Sequence, residues 1–155
     1  MDAEWTTPVA VDEMYGDWDY EAAVAALDRS LAPRSSMSIF DYIEPLGIAP
    51  GDVVLDIGGR EGQHALVMAE RFGCRAVSVD PVRENTERGR EIVATHDCGG
   101  MVELQLGTIE HIPADDGSFR LVFSRDMLGH IADLDLALEE CRRVLTPGGH
   151  MVIFQ

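Results

Sequence analysis

The sequence predicts a doubly wound α/β domain on a parallel sheet, and three observations carry this. Apolar runs near 53–57, 75–79, 101–106, 119–124 and 150–154 alternate with helical patterns, the alternation that demands parallel strands with crossover helices. A glycine-rich turn, Gly58-Gly59-Arg60-Glu61-Gly62, follows the first run and opens a helix. An acid, Asp80, closes the second run. Ligands in such sheets sit at the carboxyl ends of the strands, near the switch in strand order, and both the glycine turn and the acid fall at such ends.

Each element has its own warrant. An alanine-rich helix over 21–32 is stopped by Pro33, and Ser35 or Ser36 can cap a second helix carrying Met37, Ile39, Phe40 and Ile43 on one side. Pro50-Gly51-Asp52 turns into the first strand, whose apolar residues are interrupted only by Asp56, the pattern of a strand buried on both faces. A helix over 63–72 leads to the second strand, and another over 83–95 reaches Gly99-Gly100 before the third strand. A loop to Gly117 precedes the fourth strand. The last helix spans 134–145, with Pro147-Gly148-Gly149 expected to stop it and turn into a fifth strand at 150–154.

Composition bounds the function. The chain has 155 residues and is 46% hydrophobic, sufficient for one globular core. Net charge is −16, all 12 basic residues are arginine, and ten acids face two arginines in the first fifty positions. Such a chain repels phosphate backbones, so no nucleic-acid partner is expected. No apolar run approaches a membrane span and the start is acidic, so no membrane partner and a cytoplasmic location are expected. Cys74, Cys98 and Cys141 are far apart, without a C-x-x-C pair, and read as reduced thiols. His96, His111 and His150 lack ligand spacing, so no metal is expected.

Spacing narrows the ligand. A dinucleotide fingerprint from Gly58 would need glycines where Arg60 and Gln63 stand. The string around Asp56, Gly58 and Gly62 instead resembles the D-x-G-x-G-x-G segment of class I S-adenosylmethionine-dependent methyltransferases. Gly107-Thr108-Ile109-Glu110, Ile112-Pro113, Asp116-Gly117-Ser118-Phe119, Ser124-Arg125-Asp126 and Arg143-Val144-Leu145-Thr146-Pro147-Gly148-Gly149 are similar to that family's words in the same order, from about residue 50 onward.

The resemblance implies S-adenosyl-L-methionine as cofactor and S-adenosyl-L-homocysteine as product. It implies cofactor contacts from Asp56, Gly58, Gly59, Gly62 and Asp80, the last to the ribose diol. Pro81 and Val82 would lie against the adenine, Thr108 and Ile109 would read its edge, and Arg125 would line the cofactor. Ser124 to His130 is similar to the S-R-D-x-x-L-H word of phosphoethanolamine-type N-methyltransferases, with Gly129 in place of the leucine. By that likeness Asp126 and His130 face a small-molecule acceptor, with His130 as binder or general base. Three positions remain open to structural readings: Asp80 as a helix cap, Asp126 as an N-cap, and His130 as a packing residue. Two departures stand out: Arg60 replaces the middle glycine, and Thr108 stands where an aspartate is common.

The chain divides into an N-terminal helical cap or lid at 1–49, which carries Trp5 and in which Tyr15, Trp18 and Tyr20 either close over the site or pack the N-terminal helices, and a cofactor-binding core at 50–155. The family fold continues past its fifth strand, so Met151-Val152-Ile153-Phe154 is expected to form an open edge, covered by a further segment or by a second copy. The alternatives to a small-molecule methyltransferase are a cofactor-binding scaffold without turnover and a different nucleotide-binding enzyme such as a dehydrogenase.

Overall fold

The computed structural model describes residues 19–155, and the chain divides into two compact units between residues 36 and 37. Trp5, Tyr15 and Trp18, and the side chain of Tyr20, lie outside the described residues, as does the lid expected from them. In the first unit, helix α1 (Tyr20–Leu31) begins where the Asp19 carboxylate accepts the Ala22 amide at 2.9 Å, satisfying one of the amides a helix start leaves unpaired.

The second unit holds the sheet. Strands β1 (Val53–Ile57), β2 (Arg75–Asp80), β3 (Val102–Leu106), β4 (Phe119–Arg125) and β5 (Leu145–Phe154) are ordered β3-β2-β1-β4-β5, and every pairing is parallel. The chain moves outward from β1 through β2 to β3, then returns to lay β4 on the other side of β1. The order therefore switches between β1 and β4, and their carboxyl ends flank the crevice where such sheets bind ligands.

Two cores explain the alternation along the strands. Val54, Ala76, Leu121 and Phe123 face helix α2 (Gln63–Phe72) through Ala65, Met68 and Ala69. Leu55, Ile57, Val77, Val79 and Val122 face helix α4 (Leu134–Val144) through Ala137, Cys141 and Val144. Helix α3 (Arg83–Ala94) joins through Val93, packed with Leu66 and Leu104. Cys74 and Cys141 are buried and form no disulfide, and burial pushes both thiols up to about 11, so they are protonated packing groups.

Three features depart from the sequence-level expectation. Ser36–Tyr42 forms a 3-10 run rather than an α-helix; it is seven residues long with Pro45 close behind, and short runs of this kind tighten readily. Ile39, Phe40, Ile43 and Ile48 pack in the α2-side core, so the segment from Met37 onward belongs with the sheet. The fifth strand begins at Leu145, before the Pro-Gly-Gly: Phe119 pairs with Leu145 and Leu121 with His150, so Pro147-Gly148-Gly149 forms a bulge within β5 rather than a turn ahead of it. The strand lies at the sheet edge, where Ile153 and Phe154 are exposed.

Candidate functional site

The glycine turn is tied to β2 from the start. The Gly58 amide donates to the Val79 carbonyl at 2.8 Å, and Gly62 to the Gly59 carbonyl at 2.8 Å. Gly58, Arg60 and Gly62 have φ of 72°, 50° and 83°, the left-handed region that disfavours a side chain. Here lies the reason a glycine suits position 60, and Arg60 holds that conformation despite its Cβ. Its side chain turns to the buried Glu61, with Nε 3.5 Å from Oε2. Gly59 is glycine for a different reason: a Cβ there would collide with Ser78 Oγ and Asp56 Oδ2.

Asp80 is held from three directions. Its Oδ2 accepts the Arg60 amide at 2.9 Å, and its Oδ1 accepts the Val82 amide at 2.9 Å and Asn85 Nδ2 at 3.1 Å. The first bond joins the end of β2 to the glycine turn of β1, and the other two brace the entry to α3, whose N-cap is Val82 and not Asp80. A carboxylate offers about four acceptor positions, which leaves Oδ2 capacity for another donor. Pro81 is exposed and Val82 half-buried beside it. Asn85 has no counterpart in the motif reading; an amide side chain in the first turn of the helix after a strand-end acid is the signal that could have found it.

Beneath the turn lies a buried polar cluster. Neither Asp56 oxygen nor Ser78 Oγ makes a hydrogen bond of good geometry with the described residues. Burial, and then the charge of Asp80, push the Asp56 carboxyl up to about 7 against the weaker opposing pull of the Ala65 amide. His64 Nδ1 stands 3.9 Å from Asp56 Oδ1, and burial followed by the positive Arg125 pushes the imidazole down to about 4. At neutral pH His64 is therefore an uncharged packing group, edge-on to Phe123 with ring centres 5.5 Å apart.

The end of β4 is built differently. Arg125 is buried, its guanidinium 5.7 Å from the Phe154 ring centre and its Nε 3.2 Å from Asp126 Oδ2. Asp126 is exposed, has φ of 51°, and donates its amide to the Phe154 carbonyl at 2.8 Å. It is not an N-cap; Asp133 caps α4 by accepting the Leu136 amide. Met127 lies against Gly58, where a Cβ would meet its Sδ, and a 3-10 turn over Leu128–His130 leaves His130 exposed. The structure thus places Asp126 and His130 on one exposed connection and Asp56, Gly58, Gly59, Gly62 and Asp80 in one braced cluster. Thr108 pairs with His111 in the β3–β4 loop, and Ile109 is buried against the α4-side core. No group of metal-ligating side chains occurs among the described residues, and none of their helices is long and apolar enough to cross a membrane.

Residues 55–153 match the family described as Methyltransferase domain. The chain is 32% identical over 139 residues to a sarcosine/dimethylglycine N-methyltransferase of Halorhodospira halochloris, covering 90% of this chain and 47% of that protein. It is 30% identical over 113 residues to phosphoethanolamine N-methyltransferase 1 of Arabidopsis thaliana, covering 73% and 23%. The fold matches geranyl diphosphate C-methyltransferase from Streptomyces coelicolor A3(2), solved with Mg2+, geranyl diphosphate and S-adenosyl-L-homocysteine, at a TM-score of 0.72, 23% identity, and coverage of 88% and 50%. The chain spans half or less of the length of each of these proteins. With the strand order, the glycine turn and the family match in agreement, the chain belongs to the methyltransferase-domain family of the class I, S-adenosylmethionine-dependent type.

Proposed function

We propose that this chain binds S-adenosyl-L-methionine at the ends of β1 and β2 and takes part in methyl transfer to a small molecule. The observation that carries the reading is the bond from the Arg60 amide to Asp80, which fuses the glycine turn and the strand-end acid into one rigid unit with acceptor capacity to spare. A ribose diol fits that capacity. Asp56 and Ser78 add buried polar atoms directly beneath the turn.

In this reading Gly58, Gly59 and Gly62 let the backbone approach the methionyl part, with Asp56 below them, and Asp80 holds the ribose. Pro81 and Val82 flank the adenine, Thr108 and Ile109 read its edge, and Arg125 supplies positive charge nearby. When bound, the cofactor supplies an electrophilic methyl on a cationic sulfur. The protein's task is then alignment, which supplies much of the acceleration in reactions of this kind. Asp126 orients the acceptor and His130 accepts its proton when the nucleophile starts protonated. Cationic and neutral small acceptors suit a chain of net charge −16. The relatives named for sarcosine, dimethylglycine and phosphoethanolamine make small amines the first acceptors to test.

A second reading, a cofactor-binding scaffold without turnover, is favoured by the exposure of Asp126 and His130. Titration calorimetry with S-adenosylmethionine, S-adenosylhomocysteine and NAD, followed by a methyl-transfer assay on small amines, separates the readings. Binding of the first two ligands, rejection of NAD and transfer to an amine is the expected result. Binding without transfer supports the scaffold, and binding of NAD alone removes both.

A further inference from the structure

The β3–β4 loop is gripped by a pair of charged side chains that the proposed site does not otherwise use. On α4, Glu140 and Arg143 stand three residues apart and form a bidentate pair, with Arg143 Nε and Nη2 at 2.6 and 2.8 Å from the two carboxylate oxygens. The pair is turned outward onto the loop. Glu140 Oε2 accepts the Ile112 amide at 3.0 Å, and Arg143 Nη2 donates to the Ile112 carbonyl at 3.0 Å. Arg143 Nη1 also donates to the Ala114 carbonyl at 2.7 Å and to Asp116 Oδ1 at 2.9 Å, while the Gly117 amide returns to the Arg143 carbonyl at 2.9 Å. Both backbone groups of Ile112 are thus held by one side-chain pair, the carbonyl also accepting the Ala114 amide at 2.8 Å.

We propose that Glu140 and Arg143 are positioning residues that set the register of the 108–112 turn and so give the site its discrimination at the edge of the adenine. The inference rests on the cofactor reading above. The mechanical link is short. The His111 amide closes onto the Thr108 carbonyl at 3.2 Å, and Ile109 and Ile112 share one buried cluster, so residues 108–112 are tied to one another. A second tie, from the Ala132 amide to Glu110 Oε1 at 3.3 Å, fastens the same turn to the connection after β4. The guanidinium fork matches two carboxylates and two carbonyls in fixed geometry, which an ammonium on a flexible stem does not. Discrimination at a hydrogen-bonded edge depends on donors and acceptors being held close to their productive places, so loosening the grip degrades selectivity more than affinity.

The test uses the whole chain and two probes, S-adenosylhomocysteine and its N6-methyladenine analogue, titrated into wild type, Arg143→Lys and Glu140→Gln. Wild type is expected to prefer the unmodified probe by about tenfold or more, and each variant to lose at least about threefold of that preference. A purely structural role would lower the melting temperature and leave the ratio of the two affinities unchanged. Glu140→Gln keeps size and shape, so it reports even where Arg143→Lys fails to fold. An unchanged ratio in a folded variant, or a wild type that binds both probes equally, overturns the positioning role. A wild type that binds neither probe overturns the cofactor reading itself.

Discussion

The ends of β1 and β2 and the end of β4 lie along the same carboxyl edge of the parallel sheet, yet they are built on opposite plans. At β1 and β2 the side chains are buried: Asp56, His64, Ser78 and Asp80 are all at least nine-tenths covered, and Asp80 is fixed by three donors. At the end of β4 Ser124 and Arg125 are covered, but Asp126 and His130 beyond them stand exposed on a connection held mainly through the tail of β5, by the Phe154 carbonyl and by Gln155 Oε1 accepting the Leu128 amide at 3.0 Å. A common ligand portion rewards rigid, preorganised groups, whereas a variable acceptor is accommodated by an adjustable surface. Both sides carry a non-glycine residue in the left-handed region, Arg60 on one and Asp126 on the other. Backbone held this way marks places where the fold fixes a geometry against local preference.

The contrast predicts where damage spreads. Phe123 is fully buried, stacked on Phe40 at 5.5 Å and edge-on to His64, directly under the braced side. Phe123→Ala is expected to cost about 3–5 kcal/mol of stability, read by urea denaturation. A loss below about 1 kcal/mol would mean that the braced side does not depend on this core.

A pH series sharpens the same comparison, because Asp56 and His64 titrate in opposite senses. Asp56 rises from 3.8 to about 7, so between those values the folded chain holds a proton that the unfolded chain has released. That contribution to stability is fully present below 3.8 and is lost as pH rises through about 7. His64 falls from 6.5 to about 4, so its contribution is present above 6.5 and is lost as pH falls through about 4. Asp80 and Arg125 are the charged neighbours that drive these shifts together with burial. In the wild type the two slopes offset one another where the windows overlap. Asp56→Asn is expected to leave a stability that climbs with pH across the histidine window, and His64→Gln one that falls with pH across the carboxyl window. Thermal denaturation from about pH 4 to 8 reads both, and parallel curves for the two variants would contradict the buried-pair picture.

On the open side the expected stability effect is small. His130→Ala should shift stability by no more than about 0.5 kcal/mol, since the residue is exposed. Turnover should fall by about a hundredfold while cofactor affinity stays within about twofold, the signature of a general base outside the cofactor site. Equal loss of affinity, or an unchanged rate, would remove His130 from the acceptor side.

The braced side was legible in the sequence because its constraints are local. A strand buried on both faces must be apolar throughout, a tight turn needs glycine at left-handed positions, and both leave short words such as those around Asp56 and Gly62. What was not legible depends on contacts across the chain. The α-helix expected after Ser36 became a 3-10 run, and β5 extended back to Leu145 because Phe119 pairs with it across the Pro-Gly-Gly bulge. The grip of Glu140 and Arg143 on Ile112 joins residues about thirty apart in sequence, and the burial of His64 against Phe123 joins residues of α2 and β4. The exposure of Asp126 and His130 was equally hidden, since spacing places both after β4 without saying how deep they lie.

The most direct measurement is calorimetric titration of S-adenosylmethionine into the wild-type chain and Asp80→Ala, with melting curves to establish that both are folded. Saturable one-to-one binding by wild type is expected, weakened in the variant by about 1–3 kcal/mol as the ribose loses its acceptor. A folded Asp80→Ala chain that binds as tightly as wild type would contradict the assignment and leave Asp80 as a brace for the glycine turn and the start of α3.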